Sequence, residues 1–244
     1  DRTGRQVMLT GVNCASLEWL SNPEKLVTTV NYALDEWHAN IIRLPLSQDR
    51  WFGFGGDQQG TDESGDRYRA IVDEIITNVA KRKKYLIIDL HRSNCGSWGE
   101  FISGNMPDMN SLVFWKDIAC RYGNHPNVLF GIFNEPFKVS WDCWRDGGEV
   151  TVEYAPQNIG NQIMRDESGE PVLERVSFQS PGLQKMVDTV RAVGAKNIAI
   201  IAGLDWGYEL DGIAKGYTID DRGGNGIMLD SHEYPWKELD RWEE

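Results

Sequence analysis

The chain has 244 residues, 41% hydrophobic and 25% charged, the profile of a globular protein most economically built as one domain. No apolar run approaches the roughly 20 residues that cross a bilayer, so no membrane is expected as a partner. A formal charge of -12 argues against nucleic acid, whose phosphates require an excess of Lys and Arg. No secretory leader is visible at the front.

In chain order, short apolar runs alternate with amphipathic stretches. Val7 to Val12 reads as a strand, followed by a helix from Pro23 to Trp37 with Leu26, Val30, Ala33, Leu34 and Trp37 on one face. Ile41 to Leu44 is the second strand, and Tyr68, Val72, Ile75, Ile76 and Val79 mark the helix after it. Tyr85 to Leu90 is the third strand, with Trp115, Ile118, Ala119 and Tyr122 on the following helix. Val128 to Phe133 forms the fourth strand. Leu183, Met186, Val187 and Val190 mark a helix before the fifth strand at Ile198 to Ile201, and Ile227 to Leu229 begins a sixth.

Strands apolar on both faces and each followed by a helix imply a parallel sheet covered by helices. No Gly-rich phosphate loop follows the first strand, which disfavours a nucleotide-binding fold and leaves no cofactor expected. Polar and aromatic residues recur just past the strands instead (Asn13, Arg43, His91, Glu135, Trp206 and His232), the end from which barrel enzymes draw their active sites. The expected fold is α/β, a (β/α)8 TIM barrel with about six βα units visible. Residues 1–244 form one catalytic domain, expected to be incomplete at its C-terminal side, with a long loop insertion over 137–180.

The fourth strand runs into Asn134-Glu135-Pro136. Cleaving a glycosidic bond requires protonation of the leaving oxygen, and a carboxylic acid with a raised pKa at the barrel mouth supplies that proton. The four Cys (Cys14, Cys95, Cys120 and Cys143) form no CxxC pair and lack a His at metal spacing, so no metal site is expected. If any pair is oxidised, Cys95 with Cys143 is the first candidate; free thiols are the alternative. Of the ten Trp, Trp19, Trp51, Trp98, Trp141, Trp144, Trp206 and Trp236 fall in segments after strands. Flat rings there suit the apolar faces of sugars in a cleft with several subsites.

Six segments in order, Gly11-Val12-Asn13, Ile42-Arg43-Leu44-Pro45, Ile88-Asp89-Leu90-His91, Asn134-Glu135-Pro136, Gly203 to Trp206 and His232-Glu233-Tyr234, resemble glycoside hydrolase family 5, the cellulase and mannanase family. The resemblance implies an endo-acting, retaining β-1,4-glucanase, with a polysaccharide or oligosaccharide as partner and secretion as its setting. It implies Glu135 as general acid and then base, Asn134 on the 2-hydroxyl of the sugar, Arg43 and Tyr234 on the nucleophile, and His91 and His232 lining the subsite. Trp206 and Trp236 would bind substrate. The family takes its nucleophile, a second Glu, from strand seven, which this sequence does not show; Glu233 is expected to turn away by strand alternation. Glu238, Glu243 and Glu244 read as part of the next helix. A mannanase or other β-glucanase of this fold, and a non-catalytic carbohydrate-binding barrel, remain alternatives.

Overall fold

A computed structural model describes residues 6–99, 102–156 and 163–234. Six parallel strands form one curled sheet: β1 (Gly11–Asn13), β2 (Ile41–Ser47), β3 (Tyr85–Arg92), β4 (Val128–Gly131), β7 (Ala199–Ala202) and β8 (Ile227–Asp230), in that spatial order. Consecutive parallel strands need crossovers, and the helices α1 (Leu26–Asp35), α3 (Asp66–Lys81), α4 (Met109–Tyr122) and α6 (Gly182–Ala192) supply them. The result is the wall of an open (β/α)8 barrel.

The main core lies between sheet and helices. The apolar stripe of α3 expected from its spacing, Tyr68, Val72, Ile75, Ile76 and Val79, is buried there. The start of α4 is fixed by Asp108, whose carboxylate accepts the Ser111 N–H at 3.0 Å while the Ser111 hydroxyl accepts the Asp108 N–H. That reciprocal pair satisfies two N–H groups a helix start otherwise leaves orphaned. Inside the curl, Ile41, Leu129 and Ile200 form a second, smaller cluster with Leu9, Tyr85, Ile87 and Ile198. Beyond it the open edge leaves Met228 and Leu229 of β8 exposed.

Four expectations change. The first strand is shorter than Val7 to Val12: β1 begins at Gly11, and Val7 and Met8 are exposed with no strand to pair them. The segment 137–180 is not all loop. It holds the short helix α5 (Trp141–Asp146), capped by the Ser140 hydroxyl on the Cys143 N–H, and an antiparallel ribbon of β5 (Gly148–Tyr154) and β6 (Glu174–Ser180). Val150 and Phe178 pair across the ribbon and are buried in the main core. The apolar face of α1 does not extend to Trp37, which lies past the helix end and is exposed. No disulfide joins the four Cys, in keeping with the free-thiol alternative; the Cys95 thiol faces the Ile102 carbonyl at 3.7 Å.

Trp51 and Trp144 do not reach a cleft. Both are fully buried, with indole N–H groups donating to Asp117 Oδ2 at 2.7 Å and to the Ala202 carbonyl at 3.0 Å. Standing after a strand does not by itself turn a ring outward.

Candidate active site

The sheet delivers polar side chains to one end of the barrel. Register pairs Asn13 of β1 with Arg43 of β2, and Asp89 of β3 with Gly131 of β4. Gly131 leaves the room Asp89 needs, since a Cβ there would stand 3.1 Å from the Asp89 carboxylate. Arg43 reaches across the mouth, donating to Asn13 Oδ1 and Asn134 Oδ1 and pairing with Asp89 at 2.8 Å. The same Asp89 oxygen accepts from His91 Nδ1 at 3.0 Å. Asp89 is 2% exposed. A buried carboxylate needs partners, and here it fixes both Arg43 and His91 in place.

Glu135 stands one residue past Asn134, at the top of β4. Its Oε1 is 2.8 Å from His232 Nδ1 and 3.5 Å from the Tyr234 hydroxyl. The other ring nitrogen of His232, Nε2, lies 3.2 Å from Asp230 Oδ2. With a carboxylate on each nitrogen the imidazole is held doubly protonated, both N–H groups donating. Burial pulls its pKa down, but the hydrogen bonds to Asp230 and Glu135 and the charge of Asp230 outweigh that and push it up to about 9.

The expected raised pKa of Glu135 is not found. Burial does push its carboxyl up, but the His232 hydrogen bond and the positive charges of His232, His91 and Arg43 prevail, and the net direction is down. The cause is the balance of charge among the described residues: a carboxylate facing these cations prefers to be ionised.

A cavity of about 450 Å³ joins Asn13, Arg43, His91, Asn134, Glu135 and His232. A second, of about 290 Å³, lies on the other side of Glu135 and is lined by His91, Phe137 and Trp206 among others. Trp206 stacks on Phe137 with ring centroids 4.7 Å apart and 15° between planes, and its backbone N–H donates to the Pro136 carbonyl. The structure thus gathers Arg43, His91, Asn134, Glu135, Trp206, His232 and Tyr234 at one mouth. Trp236 lies outside the described residues.

Glu233 is exposed and accepts a hydrogen bond from the Ser231 hydroxyl at 2.6 Å. Because β8 ends at Asp230, strand alternation does not govern it, and it borders the larger cavity. Among the described residues, no group of three His, Cys, Asp or Glu is placed to hold a metal ion.

Asp89 and Asp230 received no role from the sequence, although each stands two residues before a site histidine. The repeated Asp-x-His at two strand ends was the available signal; within β3, alternation puts Asp89 and His91 on one face.

The family model described as Cellulase (glycosyl hydrolase family 5) matches residues 1–243. The chain belongs to this family. Among curated relatives, a cellulase of a Thermoanaerobacterium species is 27% identical over 96% of this chain and 49% of its own length. An endoglucanase of a Microbulbifer species is 30% identical over 56% of this chain and 24% of its own. The chain therefore spans half or less of the length of these relatives. A β-glucanase from Saccharophagus degradans, solved with cellotetraose, superposes with a TM-score of 0.65 at 22% identity, over 97% of this chain and 60% of that one. Cel5A of Hypocrea jecorina gives 0.58 at 19%, over 93% and 66%. At these identities the superpositions establish the barrel fold, of which this chain shows six strands.

Proposed function

We propose that this chain carries the acid/base half of a retaining endo-β-1,4-glucanase site, with Glu135 as the proton donor. The observation that carries the reading is the position of Glu135: at the C-terminal mouth of a barrel strand, between two cavities, in contact with His232 and flanked by Asn134. In the first step the Glu135 carboxyl protonates the leaving glycosidic oxygen; in the second its carboxylate takes a proton from the attacking water. Asn134, held by Arg43, presents its amide to a sugar hydroxyl, and Trp206 with Phe137 offers an apolar face to a pyranose ring.

The nucleophile is a second carboxylate, about 5 to 5.5 Å from the first in a retaining enzyme. The described residues place none in that role: Asp230 is committed to His232, and Glu233 to Ser231. The reading therefore has the nucleophile supplied from outside the described residues. Its negative charge would raise the Glu135 pKa for the first step; forming the glycosyl ester removes that charge and returns Glu135 to a base for the second. A polymeric substrate is met outside the cell, so the reading also includes secretion.

The cellulases and endoglucanases among the relatives favour a β-1,4-glucan over mannan. Among the described residues no second carboxylate stands opposite Glu135, which favours one other reading, a carbohydrate-binding barrel without catalysis. Incubation with soluble β-1,4-glucan, followed by NMR of the first product, separates them. Hydrolysis giving a β-configured reducing end is expected. An α-configured first product overturns retention, and oligosaccharide binding with no hydrolysis selects the binding barrel.

A further inference from the structure

His232 is gripped more tightly than a subsite-lining residue requires. Its backbone N–H donates to the Gly207 carbonyl at 2.9 Å. Asp230 closes β8 in register with Ala202 of β7, and its carbonyl accepts the Gly203 N–H. Gly207, at φ +77°, lies flat against the ring: a Cβ there would come within 3.1 Å of His232 Cγ. The turn after β7 is thus folded under residues 230–232. What this clamp presents to the rest of the site is one line of contacts, Asp230 to His232 to Glu135.

We propose that Asp230 is a positioning residue for Glu135, accepting a hydrogen bond from the Nε2–H of His232 so that the ring keeps a charged Nδ1–H directed at the Glu135 carboxylate. Its catalytic consequence rests on the glucanase reading above; its physical content does not. The charged and titratable groups facing the ring are Asp230 and Tyr234 from β8 and the segment after it, Glu135 from the end of β4, and Arg43 from β2; the turn after β7 meets it through Gly207. Arg43 works against protonation of the ring and the two carboxylates work for it. Glu135 alone would have to offset both burial and Arg43. With Asp230 the ring stays charged through neutral pH.

The effect on Glu135 has a definite sign. An adjacent imidazolium favours the ionised carboxylate. Removing the charge of Asp230 lets the ring go neutral at lower pH, and over that range Glu135 loses the adjacent cation.

The test is a titration of the imidazole side chains by ¹H–¹⁵N NMR in this chain, with His232→Gln used to assign the signal among four histidines. The parent should show His232 titrating near pH 9, and Asp230→Asn should lower that midpoint by about one unit or more. Asp230→Glu, which retains the charge, should keep the midpoint high. Asp230→Ser serves as the neutral arm if the Asn variant lacks the parent's circular dichroism spectrum. A folded neutral variant with an unmoved midpoint overturns the proposal. Hydrolysis of glucan by the same forms is measured alongside. If the midpoint falls but no form hydrolyses glucan, the glucanase reading fails and the positioning role stands; hydrolysis with an unmoved midpoint gives the reverse.

Discussion

Replacing Asp49 by Asn should make the protein more stable above neutral pH and leave it unchanged in acid. Asp49 lies in the short helix α2 (Gln48–Trp51), is 3% exposed, and has one carboxylate oxygen with no hydrogen-bond partner. Burial, reinforced by the negative charge of Asp108, pushes its pKa to about 7 against the opposing Gly99 N–H and Arg50. Below the ordinary carboxylate pKa of about 4, both folded and unfolded chains hold the proton, so nothing is lost. Between pH 4 and 7 the unfolded chain ionises first, and each pH unit removes up to about 1.4 kcal/mol of folding free energy. Above pH 7 the loss is complete and constant. Over three units it amounts to about 4 kcal/mol as an upper bound, a large share of the 5 to 15 kcal/mol a domain typically has. Asn cannot ionise and still accepts the Gly99 N–H, so the stability difference between variant and parent should grow from pH 4 to 7 and then level off. Urea unfolding at one-unit pH intervals reads it directly. A difference that does not vary with pH would refute the assignment of a strained buried carboxyl.

Three further outcomes follow from the packing and the site. Trp51→Ala should cost about 3 to 5 kcal/mol in urea unfolding, the usual loss for a core Trp, whereas Trp206→Ala should cost little stability and weaken oligosaccharide binding in calorimetry. Asp89→Asn removes one side of a largely buried ion pair and should cost about 1 to 3 kcal/mol, discounted because Arg43 is 20% exposed; oligosaccharide affinity should drop with it as Arg43 and His91 lose their anchor. Thiol titration of the denatured, unreduced chain should count four free thiols, and a count of two would restore a disulfide.

The parallel architecture was legible because β2, β3, β4 and β7 are apolar on both faces, which only a helix-covered sheet accommodates. Arg43, His91, Asn134, Glu135, Trp206, His232 and Tyr234 were legible because barrel chemistry collects at strand ends and the order of their motifs is specific. The β5/β6 ribbon was obscured by Gly147-Gly148, Pro156 and Pro171, although Val150 and Val152 facing Val176 and Phe178 alternate with the period of a strand. The lowered pKa of Glu135 was not legible at all. It depends on a 2.8 Å contact with a histidine 97 residues away, and no local pattern encodes a balance of charges gathered from four strands. Trp51 and Trp144 were missorted for a related reason: sequence position gave the end of the barrel but not the direction of the ring.

The most direct test of Glu135 as proton donor is Glu135→Gln, which keeps the shape and hydrogen-bonding reach of the side chain and removes the proton. Turnover of β-1,4-glucan, as kcat/KM, should fall by about 10² to 10⁴, the usual worth of a positioned general acid. On an aryl β-glycoside with a good leaving group the fall should be much smaller, because that oxygen departs with little protonation, and oligosaccharide affinity should stay within a few-fold of the parent. Equal losses on the two substrates, with binding abolished, would make Glu135 a structural residue and contradict the account.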